Sequence, residues 1–423
     1  MRCWIGKRVV VGIGMLGASG SAIAGGLQEH EPGEAEVEVL GIGSQFDAFR
    51  RGIESHGITL GGSYTAEFSG VVTGGIRRRF DFRNLLTIDL GVDLDEAIGW
   101  SGASAFLQYL SVNPNGGAKG GSNDAGDIQG YSNLESRRHL DTIYELWFQQ
   151  ELFDERLRFK AGKFDANSEF AFVDAAGDFA NSSAGFSPTI LALPTYPESA
   201  TGAGVFGTVV DTDRLVLELA YGFFDGATSA DEVETGRRGP STFFDSHLSD
   251  DYFHIVQAVL SWEGGGSNGW WRAGRATLGG WYHDGTFERF DGGVENGTGG
   301  LSATFEQRVW ASDARSVDVF GQLGWADDIV AEIGGHVALG IVCGGCILAR
   351  EQDRMGAYAT LALLSDEPGA GFDGDELAIG VFYRFQLPAA TFVQPEIQYV
   401  VNPGGNPNLD DALVLGVRAG IEF

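Results

Sequence analysis

The sequence predicts an all-β protein: a transmembrane antiparallel β-barrel of sixteen strands, with long extracellular loops and a short N-terminal helix. Three observations predict it. Apolar and polar residues alternate with period two in segment after segment, over ten or more residues, which suits a tilted strand crossing a bilayer better than a soluble sheet. Glycine supplies 65 of 423 residues with neither a collagen period nor linker tracts, which disfavours long helices and suits turns and bulges. No stretch after the N-terminal segment approaches the roughly 20 apolar residues of a spanning helix, so a membrane crossing here has to be made by strands.

The chain is taken in order. Residues 1–24 have the layout of a cleavable export signal: a basic start at Arg2, Lys7 and Arg8, a short apolar centre, and Ala22-Ile23-Ala24 before Gly25. Its removal takes three basic and no acidic residues, so the formal charge of −30 becomes more negative still. That balance argues against a nucleic-acid or anionic-surface binder. Residues 25–57 form an N-terminal segment in which 44–57 read as one short amphipathic helix, with Phe46, Phe49 and Ile53 on a shared side. Covering the periplasmic rim is its favoured place and narrowing the lumen the other.

The barrel is expected over 58–423. Its strands are predicted at 58–72, 85–95, 102–112, 141–150, 156–166, 203–209, 213–223, 251–261, 272–284, 299–310, 315–326, 332–341, 354–365, 374–386, 391–401 and 411–423. The last is the clearest: Leu413, Leu415, Val417, Ala419, Ile421 and Phe423 fall on one side, opposite Val414, Gly416, Arg418, Gly420 and Glu422. Tyr399, Tyr282 and Trp325 lie on the apolar side near strand ends, as an aromatic girdle does. A sheet in lipid must satisfy its own backbone groups and therefore closes on itself. Connections near 387–390 and 311–314 read as periplasmic turns. Those at 113–140, 167–202 and 224–250 read as long outer loops that fold inward and carry function. Arg77-Arg78-Arg79 falls in a strand connection, as a charge contact and not a sugar contact.

Cys3 leaves with the signal. Cys343 and Cys346, in CGGC, are candidates for a local disulfide in an oxidising compartment, two inert thiols being the other reading. Nearby ligands for a zinc site are missing, and no metal is expected.

LRFKAGKFDANSEFAF (157–172), NSSAGFSPTI (181–190) and the segment 397–423 with its NPGG resemble the carbohydrate-selective porin family of the Gram-negative outer membrane, the glucose-porin type. HGITLGGSY (56–64) and TYPES (195–199) extend the resemblance over almost all of the mature chain. It implies passive diffusion of monosaccharides or small oligosaccharides into the periplasm, with no catalytic cycle and no cofactor. It also implies carbohydrate solutes, outer-membrane lipid and lipopolysaccharide as partners, with a homotrimer as one assembly open to it. Lys163, Asp165 and Asn167 match the family's GK-D-AN block, and Asn181, Ser182, Ser183, Ser187 and Pro188 its loop block.

A channel for a neutral, hydroxyl-rich solute needs hydrogen-bond partners and an aromatic surface at its narrowest place, with weak binding. Parity nominates Asp89, Asp93, Glu218, Gln257, Trp281, Arg308, Gln322, Arg384, Glu396, Gln398 and Arg418 as pore-lining. Arg384 is expected to pair with Glu396 across neighbouring strands, and Trp281 to offer an inward stacking face. Three other readings compete, one of them an adhesin or purely structural barrel with a blocked lumen and no solute flux. A general or cation-preferring porin is favoured by the acidic excess, and a barrel enzyme would draw on His139, His254, His283 or His336, for which no compact nucleophile motif such as GxSxG occurs.

Overall fold

The computed structural model describes residues 50, 52–114, 122–136, 139–226, 240–244, 251–264, 272–312 and 315–423. Sixteen strands follow in chain order: β1 (Ile58–Thr73), β2 (Phe80–Asp93), β3 (Ala103–Asn113), β4 (Leu140–Leu152), β5 (Leu157–Phe164), β6 (Ala200–Asp211), β7 (Leu215–Asp225), β8 (Tyr252–Trp262), β9 (Gly274–Glu288), β10 (Val294–Ser312), β11 (Arg315–Ala326), β12 (Ile333–Gly344), β13 (Arg354–Leu364), β14 (Glu376–Leu387), β15 (Thr391–Val401) and β16 (Ala412–Glu422). Each pairs antiparallel with its chain neighbours, and β1 also pairs with β16, so the sheet closes without an edge. Closure is what lipid demands, since an open edge would leave its N–H and C=O groups unsatisfied.

The period-two pattern becomes the two faces of the wall. Leu146, Leu278, Leu339 and Ile397 stand outward, 49–65% exposed, while their neighbours Glu145, Thr277, Ala338 and Glu396 are buried inside. Tyr399, Tyr282 and Trp325 are also outward and exposed. At the seam Glu67 of β1 lies opposite Arg418 of β16, and the N–H and C=O of Phe423 exchange hydrogen bonds of 3.0 Å with those of Gly62. The three longest connections, after β3, β5 and β7, are all odd-to-even and mark the outer end. Even-to-odd turns and both ends of the barrel chain share the periplasmic end.

β2 and β10 each start five residues earlier than the alternation suggests, and β6 three. β2 begins at Phe80, with Phe82 outward and Asp81 and Arg83 buried; two charges directly after three arginines disguise the period. β10 begins at Val294, where glycine and polar residues carry little hydrophobic signal and the register with β9 extends the strand. On the periplasmic side a short helix, α1 (Leu94–Ile98), follows β2. Residues 52–54 are helical, and the Gly57 carbonyl accepts from the Asp93 N–H at 2.7 Å, which puts this segment on the periplasmic rim. The signal segment, residues 25–49, and with them Phe46 and Phe49, lie outside the described residues.

Inside the barrel, two connections fold inward. The first, between β3 and β4, includes α2 (Ser122–Ala125) and runs on to Glu135. The second, residues 165–199 between β5 and β6, includes 3-10 turns at Ala166–Ser168 and Asp174–Ala176 and the helix α3 (Ser182–Gly185). Phe170, Ile190 and Leu193 of this loop join Phe164, Phe206, Phe224, Phe253 and Trp281 of the wall in a buried cluster. On the opposite side Phe179 inserts between Tyr358 and Phe382, with ring centroids 4.8 and 4.9 Å away and near-perpendicular planes. A membrane barrel cannot build its core from an outward face that belongs to lipid, so this one builds it from loop against inner wall.

Candidate functional site

The 165–199 loop is laid out by its own polar residues. Asp165 caps the first turn, its Oδ1 accepting from the Asn167 N–H at 2.7 Å and its Oδ2 from the Tyr144 hydroxyl. Burial raises this carboxyl above the ordinary carboxylate range. Asn167 Nδ2 donates to the Phe170 carbonyl at 3.0 Å. Asn181 caps α3, accepting from the Ser183 N–H at 2.9 Å, and the Ser183 hydroxyl donates to the Gln129 carbonyl of the other inner loop. The Ser182 N–H donates to the Gly130 carbonyl, and half-buried Pro188 follows Ser187, whose hydroxyl meets His336 Nδ1 at 3.1 Å. Lys163 lies at an outward register position opposite Leu146, but its amine reaches along the wall to the Ile143 carbonyl, beside a bulge where Tyr144 and Glu145 both turn inward. These motif residues frame the loop and the wall beside it.

Most inward positions nominated by parity hold the loops. Gln257 accepts from the Ala171 N–H at 3.1 Å and donates to the Glu169 carbonyl at 2.9 Å. Gln322 donates to the Ala184 carbonyl, and Glu396 accepts from the Ala180 N–H at 3.1 Å. Gln398 donates to the Tyr131 carbonyl at 2.7 Å and accepts from the Tyr358 hydroxyl at 2.9 Å. Arg418 meets Glu67 at 3.0 Å and Asn133 Oδ1 at 2.7 Å. Asp89 accepts from Gln108 at 2.7 Å on the inner wall.

Three nominations differ from expectation. Asp93 caps α1 at the rim, its Oδ1 accepting from the N–H groups of Asp95 and Glu96, because β2 ends there. Trp281 is only 4% exposed and stacks on Phe253 beneath the loop, with ring centroids 6.0 Å apart, so its face is closed to a solute. Arg384 pairs not with Glu396 but with Asp178 of the loop at 2.7 Å, while its Nε donates to Gln394 at 2.9 Å.

The loop sets out a charge array that alternation could not supply. Asp178, fully buried, binds both Arg384 and Arg354, the latter at 2.9 Å. Glu169 meets Arg158 and Lys160, each at 2.8 Å. Burial alone would raise its carboxyl, but those two cations more than offset this and hold it at about 2. Arg83, 1% exposed, joins Glu67, Tyr131 and Glu135 into the seam network. Arg83 carries a period-two signal with Asp81 and Asp89 once β2 is started at Phe80; Asp178 carries none.

Below the loop, towards the periplasm, lies a chamber of about 610 Å³. Arg275, Arg308 and Arg354 face it together with Asp174, Glu306 and Asp318. Arg275 is 3.4 Å from both Asp174 and Glu306, and Arg308 is 2.8 Å from Asp318. Glu218 of β7 lies in the field of Arg158 and Arg275. The turn after β12 adjoins the chamber through Glu351 and Asp353; in it Cys343 and Cys346 are joined as a disulfide, their Cα atoms 5.9 Å apart.

Residues 81–423 match the sequence profile of the carbohydrate-selective porin, OprB family. The chain belongs to that family. This OprB-family porin has the fold of Pseudomonas putida OprB: against its high-pH structure the TM-score is 0.76 at 18% identity, covering 90% of this chain and 97% of the other. Against the low-pH structure the TM-score is 0.55 at 16% identity, with the same coverage. No curated protein sequence matches the chain. The OprB-family porin is an outer-membrane carbohydrate channel of a Gram-negative bacterium. The four histidines a barrel enzyme would draw on do not converge: His254 faces outward beside Tyr221, His283 is buried inside, His139 pairs with Asp141 in the open, and His336 bridges Ser187 and Thr360.

Proposed function

We propose that the channel passes neutral monosaccharides and small oligosaccharides by passive diffusion, and that the chamber beneath the 165–199 loop is where they are sorted. One observation carries this reading: in the chamber Arg275 is paired with Asp174 and Glu306, and Arg308 with Asp318. A paired wall offers donors and acceptors to hydroxyl groups yet presents little net charge to a lone ion. Its volume falls within the roughly 300–1,000 Å³ of small-molecule sites. Weak, multiple contacts let a sugar leave as readily as it binds.

Swelling of proteoliposomes in a graded series of neutral sugars tests this. The expected result is uptake that falls with solute size and is slowed several-fold in Arg308→Gln, which leaves Asp318 unpaired. That variant should also move the zero-current potential towards cations. Swelling indifferent to the chamber variant, together with strong cation preference in the unsubstituted protein, would favour a general cation-preferring porin instead.

A further inference from the structure

Arg354 stands apart from Arg275 and Arg308 in the chamber wall. As the first residue of β13 it lies opposite Arg384 of β14 on one side and opposite Gly344 of β12 on the other. Like charges directly opposite in a sheet repel, and here the inner loop resolves the conflict by setting the one carboxylate of Asp178 between them. What each arginine has left over differs. Arg384 is only 5% exposed: Nη1 meets Asp178 at 2.7 Å, Nε donates to Gln394 at 2.9 Å, and the guanidinium carbon lies 3.9 Å from the centroid of the Phe392 ring. Arg354 is held through Nε, 2.9 Å from Asp178, and its side chain is 23% exposed where it lines the chamber. Among the described residues no group accepts a hydrogen bond from its Nη1 or Nη2.

A guanidinium anchored at Nε keeps its two terminal amino groups as a planar fork, and the anchor removes much of the side chain's freedom before any solute arrives. Gly344 has no side chain with which to cover the fork from β12. Two donors in a fork match two oxygens held close together: those of a carboxylate, of a phosphate, or of hydroxyl groups on adjacent carbons. Glu351 separates these. It is exposed in the turn before β13, lines the same chamber and makes no ion pair with a described residue. An anion on Arg354 would meet that like charge, whereas a hydroxyl group can accept from the guanidinium and donate to the carboxylate.

We propose that Arg354 is the specificity-determining residue of the chamber and that it selects a pair of hydroxyl groups on adjacent ring carbons, with Glu351 accepting from them. This rests on the reading of the chamber as the place where solutes are sorted, and names the chemistry recognised there. Asp178 then has two tasks: it holds the loop against the wall, and it aims the Arg354 fork into the space below. The same hydroxyl groups are satisfied by water on either side of the chamber, so the contact discriminates without trapping.

The test uses the full refolded porin in planar bilayers and reads the concentration at which a solute half-saturates its interruption of the ion current. The probes are glucose, its monodeoxy analogues and gluconate. Arg354→Lys keeps a cation on Asp178 but replaces the fork by a single ammonium, and its migration on unheated gels checks that the barrel is folded. It is expected to raise the half-saturation concentration of glucose by roughly 10-fold. In the unsubstituted protein, loss of either hydroxyl of the recognised pair should cost about as much, and Arg354→Lys should no longer tell those two deoxy sugars from glucose, the coupling of a double-mutant cycle. Equal binding of glucose and all its deoxy analogues to the unsubstituted protein would overturn the proposal whatever the variant does. So would an equal rise for every sugar in Arg354→Lys, which reports a change of shape alone, or gluconate binding more tightly than glucose, which marks an anion site. Slower sugar uptake in Arg308→Gln beside an unaltered deoxy-sugar pattern in Arg354→Lys would remove Arg354 and leave the chamber standing; no effect in either variant would remove both.

Discussion

The inner loop meets the barrel wall on two sides, and the two contacts are made of different matter. Towards β5–β9 aromatic packing, Phe170 against Phe206 and Phe224 with Ile190, Leu193 and Trp281 in the same buried cluster, is joined by the ion pairs of Glu169 with Arg158 and Lys160. Towards β11–β16 it is held mainly by charge and hydrogen bonds, with Asp178 on two arginines and the Ala180 N–H on Glu396, and by Phe179 alone among large apolar anchors. Apolar packing is insensitive to pH and salt, whereas buried ion pairs must keep every partner. One side of the constriction is thus an aromatic floor supplemented by ion pairs, and the other is mainly an electrostatic clasp.

Breaking the clasp should have the largest effect. Asp178→Ala strands buried Arg384 and takes the partner from half-buried Arg354, and is expected to cost about 3–5 kcal/mol, read from urea unfolding in lipid vesicles, with a rise in single-channel conductance as the loop loosens. An unchanged conductance would mean that the aromatic side suffices. Removing the floor comes next: Phe170→Ala should cost about 3–4 kcal/mol, with the same loss in low and high salt. A salt-dependent loss would refute the division drawn here. Ser187→Ala, which deletes one contact to His336, should cost only about 1 kcal/mol and leave conductance close to normal.

The smallest expected change has the opposite sign. Asp127 of the β3–β4 connection is buried, and among the described residues no side chain hydrogen-bonds its carboxyl. Burial, then the neighbouring Glu376 and Glu135, push its carboxyl well above the usual range. The folded protein therefore holds a proton there that the unfolded chain releases, and stability falls as pH rises from the ordinary carboxylate range through the raised value. Asp127→Asn should make the porin slightly more stable at neutral pH and flatten that dependence, as thermal unfolding followed from pH ~5 to ~8 would reveal.

The wall was legible because lipid and lumen impose a period of two over long segments, and all sixteen strands carry it apart from the starts of β2, β6 and β10. The site was legible only in part. Parity says that Gln257 or Glu396 turns inward but not whether water or a loop meets it there. That depends on contacts between residues far apart in the chain, such as Asp178 with Arg384. Trp281 shows the limit plainly: its inward direction follows from the alternation, its burial in a cluster with loop residues Phe170, Ile190 and Leu193 does not. The motif blocks marked the loop because its caps at Asp165 and Asn181 are local, and local hydrogen bonds leave a mark in sequence.

The seam between β1 and β16 has a consequence for how the molecule is made. A ribosome delivers the first strand long before its final neighbour, so Glu67 waits for Arg418 and Gly62 for Phe423 through the whole of synthesis. Sealing therefore requires both ends of the barrel segment, and a chain truncated before the sixteenth strand leaves β1 and β15 each with an unmated margin. The tail thus works as a latch that certifies a finished product.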